Sequence, residues 1–182
     1  MGRPKLLLPW HNTSVLGHLI QQWQGLGAAQ VAVVCAGDDP VVRAELDRLR
    51  FSTVDRIENP EPDRGMFSSI QCAARWAAWK SGLTHWAVVL GDQPHLQAGT
   101  LRSVCAFSAA QPGLVCQPAR GGHRRHPVVL PESAFRDLAK TTVGDLKTFL
   151  SGWQFAICER DDPGLDLDID EPEDYEKALE LE

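Results

Sequence analysis

Short, almost wholly apolar runs alternate along this chain with segments whose apolar residues recur every three or four positions. VLGHLIQQW, after Thr13 and Ser14 as candidate caps, places Val15, Leu16, Leu19, Ile20 and Trp23 on one helical face, and Gly25 and Gly27 end it. QVAVVCAG (30–37) is continuous and valine-rich, the pattern of a parallel strand covered on both faces. DPVVRAELDRLR predicts a helix with Pro40 in its first turn, and STVDRIEN (52–59) a more exposed strand. GMFSSIQCAARWAAWKSGL (65–83) reads as one long alanine-rich helix. HWAVVLGDQP (85–94) reads as a buried strand that breaks at Gly91, and TLRSVCAFSA (100–109) as a helix. GLVCQPARGGHRRHPVVL (113–130) sets a Gly121-Gly122 turn between two extended pieces. Short helices are expected over 131–139 and 144–151, then a strand in QFAICER (154–160). EPEDYEKALELE closes the chain as a helix whose first-turn acids suit the helix dipole.

Strands alternating with helices predict an α/β fold: a three-layer α/β/α sandwich around a mainly parallel sheet, in a single domain spanning 1–182. Such sheets bind ligands beyond the carboxyl ends of their strands, so the loops that follow strands are where chemistry is sought.

Composition narrows the function classes. A net charge of −6 argues against a general nucleic-acid or anionic-membrane partner, while leaving room for a small anion held by a few cations in a cleft. No apolar run approaches the roughly 20 residues of a membrane-spanning helix, and the chain reads as cytoplasmic. The five cysteines, Cys35, Cys72, Cys105, Cys116 and Cys158, are scattered in apolar segments without a metal or redox spacing and read as buried, reduced thiols.

Four polar segments could carry chemistry. VVLGDQP puts Asp92 just past an apolar strand, where a carboxylate can hold a hard cation; a turn-forming or capping role explains it equally well. LDLDIDEPED supplies Asp166, Asp168, Asp170, Glu171, Glu173 and Asp174, and in an extended segment Asp168 and Asp170 share a side-chain direction. A solvated acidic loop capping the last helix is the plainer reading of that segment alone; with Asp92 from another loop, the balance moves toward a divalent metal. NPEPDRGMFSSI places Gly65, Met66, Ser68 and Ser69 at a helix start, where free amides can meet a phosphate, ribose or base, or the serines simply cap. GGHRRHP, with Arg125 and His126, suits a grip on a phosphate-bearing substrate or a solvated turn. No Ser-His-Asp spacing, P-loop or GxGxxG stands out, which leaves hydrolase, P-loop and dehydrogenase readings unsupported.

In order and spacing these segments resemble the molybdenum-cofactor nucleotidyltransferase family, whose members carry a start of the form L-A-A-G-x-S-x-R-M-G-x-P-K. Met1-Gly2-Arg3-Pro4-Lys5 is similar to the end of that motif, and LLLPW, GMFSS, GDQP, GGHRRHP and DIDEPED follow in the family's order. The resemblance implies a Rossmann-like fold of the nucleotide-diphospho-sugar transferase type and Mg2+-dependent nucleotidyl transfer. A phosphate oxygen of the second substrate attacks the α-phosphorus of a nucleoside triphosphate, and pyrophosphate leaves. It further implies Arg3, Lys5 and Asp92 as catalytic residues, and Gly2, Lys5, Gly65, Met66, Ser68, Ser69, Gly91 and Asp92 around the nucleotide. His126 and Arg125 would stand near the second substrate, and Asp92 and Asp170, supported by Asp168, would share Mg2+. GDQP resembles the cytidylyltransferase branch, which implies CTP rather than GTP, a molybdopterin-type substrate, and a molybdoenzyme or its chaperone as partner. The alternatives are cytidylyl transfer to methylerythritol phosphate, and a non-catalytic cofactor-binding chaperone with the same fold.

Two positions depart from the family pattern, Arg125 where Gly is expected and Glu171 where Thr is usual. The resemblance also implies an apolar strand and the glycine-rich half of the nucleotide loop ahead of Met1.

Overall fold

The computed structural model describes residues 4–181. Pro9–Trp10 (β1) and Thr13–Ser14 (β2) form a small antiparallel hairpin that leads into Val15–Gly25 (α1). The Ser14 hydroxyl accepts the Gly17 amide at 3.0 Å, satisfying one of the orphan donors of the first turn. The predicted face is the buried one: Val15, Leu16, Leu19, Ile20 and Trp23 all point inward. Val33–Ala36 (β3) pairs in parallel with Arg56–Asn59 (β4), and Pro40–Arg48 (α2) connects them. Pro40 opens α2 as expected, and Asp39 caps it by accepting the amides of Val41 and Val42.

Met66–Arg75 (α3), His85–Val88 (β5) and Ala98–Ala109 (α4) follow, then Val115–Arg120 (β6), His123–Arg124 (β7) and Val128–Pro131 (β8). Glu132–Leu138 (α5), Leu146–Leu150 (α6), Phe155–Glu159 (β9) and Pro172–Glu180 (α7) complete the described chain. In the larger sheet β8 lies between β5 and β6, antiparallel to both, and β9 pairs with β6 in parallel. Hence β5, β6 and β9 run in one direction, as the apolar runs suggest, while β8 runs back. A hairpin joins β6 to β8 through β7, and a hairpin return reverses direction, whereas a helical crossover would not.

The three layers follow from alternation along the strands. Val115, Val128 and Leu130 pack with Phe67 and Ile70 of α3, Phe135 and Leu138 of α5, and Phe149 and Leu150 of α6. Their neighbours Cys116 and Val129 face the other way, against Val104 of α4 and Cys158. Over β3, Leu16 and Ile20 of α1 meet Val42 and Leu46 of α2. Among the described residues β3 pairs only with β4, and β5 only with β8, while α3 packs across β3 and β4 and against α5. The five cysteines are free thiols.

The helix expected over 65–83 stops at Arg75. Tertiary packing ends it: the Trp76 amide and the Trp79 indole N–H both donate to the Ala73 carbonyl, at 3.2 and 2.8 Å. Unwinding carries Trp79 back against Trp86 and Phe135, whose rings stack with centroids 4.5 Å apart. An aromatic cluster that also satisfies its indole outweighs a further turn or two of alanine-rich helix. Replacing Trp79 by Leu removes both contributions and is expected to lower stability by about 2 kcal/mol, or about 4–8 °C in Tm. A thermal melt of Trp79→Leu unchanged from the parent would show that the helix ends for some other reason.

Candidate functional site

The carboxyl end of β5 runs on through Val89, Leu90 and Gly91 to Asp92, and the segment after β9 brings Asp168 and Asp170 to meet it. Four contacts fasten these two loops together. The Ile169 amide donates to the Asp92 carbonyl at 3.1 Å, and the Gln93 side-chain amide donates to Asp168 Oδ1 at 2.8 Å. Fully buried His95 places Nε2 within 3.1 Å of both the Gly164 and Leu167 carbonyls, so that nitrogen carries the proton and donates to them. The Gln97 amide donates to Asp162, itself 2% exposed, which also caps the turn at Gly164.

Lys5 arrives from the opposite end of the chain. Trp10, wholly buried, packs with Val15, Leu19, Ile169 and Ala178, and the Tyr175 hydroxyl donates to the Pro9 carbonyl. This apolar joint draws the first described residues onto the loop before α7. Gly91 completes the approach, since a Cβ there would stand 2.7 Å from Leu6 Cδ2. Lys5 Nζ then reaches Asp170 Oδ1 at 2.5 Å. That hydrogen bond is the main reason its ammonium titrates above the ordinary lysine value; burial opposes it, and the charges of Asp170, Asp92 and Asp168 add to it.

Asp92 is the opposite case. Burial pushes its carboxyl up first, and the negative charges of Asp168 and Asp170 push it further, with Lys5 pulling back only in part. Its Oδ1 is buried and has no hydrogen-bond partner among the described residues. His126 lies close by, its Nδ1 3.4 Å from the Val88 carbonyl. Burial lowers its pKa against the pull of that carbonyl and of Asp168 and Asp92, so the ring is neutral at pH 7.

The carboxylates do not share one face. The Asp170 amide turns back onto the Asp168 carbonyl at 3.1 Å, so the segment turns tightly there and lacks the extended geometry that a shared side-chain direction requires. Asp168 consequently goes to Gln93 and Asp170 to Lys5. Among the described residues no three of His, Cys, Asp and Glu converge on a metal-sized point. Arg125 is not free to grip a ligand with its whole fork: it shares Asp166 with Arg120, at 2.7 and 2.6 Å, and these two guanidinium groups hold that carboxyl below its usual range. Arg124 lies over the Phe155 ring, 3.8 Å from its centroid. Gly2 and Arg3 lie outside the described residues.

At the start of α3, Gly65 adopts φ +79° and ψ −178°, a conformation open in practice only to glycine, and no side chain caps the helix. Buried Asn59, at the end of β4, donates to Ser68 and Ser69 at 2.8 and 3.0 Å. Ser68 in turn donates to the Gly65 carbonyl. Ser68 therefore shapes the turn from within, Ser69 accepts from Asn59, and Met66 stands half exposed at the rim. Asn59, Gln93 and His95 were not anticipated from sequence. Their only local signal is a polar residue at a strand end, which is also how ordinary turns look. A cavity of about 490 Å³ among Ile20, Val31, Phe51, Asp55 and Lys80 opens at the amino ends of β3 and β4 and holds none of these residues.

Comparison with curated protein sequences gives no match. Among solved structures, the chain is similar to Rv0371c of Mycobacterium tuberculosis H37Rv in complex with manganese, at 25% identity and a TM-score of 0.70, over 98% of this chain and 93% of that one. A nucleotidyl transfer enzyme from Methanothermobacter superposes with a TM-score of 0.76 at 22% identity, over 97% and 83%. Molybdopterin-guanine dinucleotide biosynthesis protein A from Archaeoglobus fulgidus superposes with a TM-score of 0.71 at 15% identity, over 99% and 91%. These last two likenesses show the fold. Residues 1–155 match the MobA-like NTP transferase domain, more than half of the chain, and the protein belongs to that family of nucleotidyltransferases.

Proposed function

We propose that this chain transfers CMP from CTP to a phosphate-bearing cofactor of the molybdopterin type, releasing pyrophosphate, with a divalent cation such as Mg2+. The observation that carries this reading is the half-buried Asp92, whose Oδ1 has no partner and whose nearest charges are two further carboxylates and the Lys5 ammonium. A buried, unpartnered carboxylate oxygen beside a second carboxylate suits a hard cation. The described residues form no three-ligand cage, which suits Mg2+ as well, since that ion is held by one or two carboxylates together with substrate phosphates. Asp92 and Asp168 would hold it, with Asp170 at the margin. When bound, the cation would neutralise phosphate charge that the protein's own cations do not cover. The manganese complex of Rv0371c supports a divalent ion, and the GDQP segment's likeness to the cytidylyltransferase branch supports CTP.

The chain's own residues supply the remainder. A phosphate oxygen of the second substrate attacks the α-phosphorus, the bond to the bridging oxygen breaks, and pyrophosphate departs, so no protein nucleophile is needed. Lys5 meets the triphosphate from the strand ends, with Arg3 two positions away in the chain. The uncapped amides after Gly65, with Ser69 and Met66, receive the nucleoside, while Gly91 keeps the Lys5 segment close to Asp92. His126, neutral and beside the carboxylates, faces the second substrate without adding charge, and Arg125 with its partner Arg120 stands at the outer margin. No helix among the described residues is long and apolar enough to cross a membrane, in keeping with a cytoplasmic enzyme that serves a molybdoenzyme or its chaperone.

Pyrophosphate release from each of the four NTPs, with Mg2+ and molybdenum cofactor, tests the substrate assignment: CTP is expected to turn over fastest, and GTP in its place would move the protein to the other branch. Lys5→Ala is expected to slow turnover on the order of 30- to 900-fold, the loss of about 2 to 4 kcal/mol of transition-state stabilisation. Its exposed pair with Asp170 contributes only about 0–1 kcal/mol to folding, so the melt should hardly change. Unchanged kinetics would remove Lys5 from the mechanism.

Asp92 gives a test with the opposite sign. Its folded pKa lies above the unfolded value of about 3.9, so the native state keeps the proton longer, and stability falls as pH rises through that interval. Asp92→Asn should therefore raise the Tm of the metal-free protein at pH 7 by about 2–4 °C, roughly 1 kcal/mol, and flatten the decline above pH 4. It should also abolish the extra stability that Mg2+ or Mn2+ confers on the parent by binding the native state. A destabilised Asp92→Asn would mean that the carboxylate is a structural cap.

A further inference from the structure

We infer that Gln93 is a positioning residue that sets the Asp168 carboxylate for the divalent cation, an assignment that rests on the function proposed above. Gln93 is 5% exposed, and its Nε2 donates to Asp168 Oδ1 at 2.8 Å across 75 positions of sequence. Its Oε1 is buried without a partner. A leucine or methionine of similar size would escape that desolvation cost, which the bond from Gln93 to Asp168 offsets only in part.

The chemistry of the donor is what separates Asp168 from the other acids of this edge. Asp170 is met by an ammonium and Asp166 by two guanidinium groups. Asp168 is held instead by a neutral amide, which fixes the carboxylate without cancelling its charge. That charge is the strongest of those acting on Asp92. Gln93 thus orients one carboxylate beside another while the pair keeps the negative potential that draws a cation. The side-chain bond is also separable from the backbone's support. The Ile169 amide on the Asp92 carbonyl and the His95 ring on the Gly164 and Leu167 carbonyls hold the loop independently. Losing the Gln93 amide therefore frees the Asp168 side chain and leaves the loop in place.

The test is Mn2+ binding to the full chain, read by electron paramagnetic resonance of free Mn2+, with and without CTP, in the parent and in Gln93→Leu and Gln93→Met. Both variants should bind Mn2+ about 10- to 100-fold more weakly, the usual effect of losing a group that orients a metal ligand. Their melts in the absence of metal should be equal to the parent's or higher, because the orphaned carbonyl is gone. Gln93→Lys, which places a cation beside Asp168, should weaken Mn2+ at least as much and keep the fold. Parent-like Mn2+ affinity in Gln93→Leu and Gln93→Met would overturn the positioning role and leave the proposed function standing. A parent that binds no Mn2+ even with CTP present would overturn both.

Discussion

Two hydrogen bonds between the Asp92–Gln93 and Asp168–Ile169 dipeptides hold together everything this edge of the sheet does. One is backbone to backbone and the other is side chain to side chain, and the loops they join are 75 positions apart for Gln93 and Asp168. Both faces of the larger sheet are covered by helices, so polar groups can be displayed only where strands end. The β5 and β9 ends would otherwise carry loops free to drift apart. The His95 ring donates to the Gly164 and Leu167 carbonyls, and the Asp162 carboxylate accepts the Gln97 and Gly164 amides, which fastens the two loops further.

On that frame the acids of one short segment are neutralised to different degrees. Among the described residues Asp166 is shared by Arg120 and Arg125, Asp170 is met by Lys5, Asp168 has only an amide, and Asp92 has an oxygen with no partner. Of these four carboxylates Asp92 is the least exposed, and among the described residues it forms no ion pair. A chain with net charge −6 that binds a polyphosphate faces like-charge repulsion unless cations are concentrated at the contact. Lys5 supplies one, and a divalent ion on the uncompensated pair supplies the larger share.

The same arrangement locates the cost. Asp92 Oδ1, Gln93 Oε1 and His95 Nδ1, within four consecutive residues, are all buried without partners. Other such atoms lie elsewhere among the described residues, as at Gln22, Arg56 and Trp86, but singly or in adjacent pairs rather than three within four residues. Local instability gathered at a strand end beside opposed charges is the pattern of a site that a ligand completes.

Much of the layer architecture was legible in the apolar pattern, because burying one helical face or both strand faces leaves a period in the sequence. The inward face of α1, the β3 and β9 runs, and the Pro40 and Glu171–Asp174 helix starts all appear where local rules put them. Asp92, Asp168, Asp170 and Lys5 could be singled out as candidates, since carboxylates and cations in loops after strands are visible one by one. What they touch was not legible. That α3 ends at Arg75 depends on Trp79 meeting Trp86 and Phe135; that β8 runs backward depends on a hairpin return; and that Arg125 serves Asp166 depends on a segment some forty residues away. The turn at Asp168–Asp170, which sends two neighbouring acids to different partners, depends on contacts with Gln93 and Lys5 from opposite ends of the chain. By itself the sequence determined which segments are buried and which chemistry-bearing residues stand at strand ends, because burial and local conformation act over a few residues. Tertiary structure alone decided which of those residues share a charge, because hydrogen bonds and Coulomb forces act between groups that only folding brings within a few ångströms.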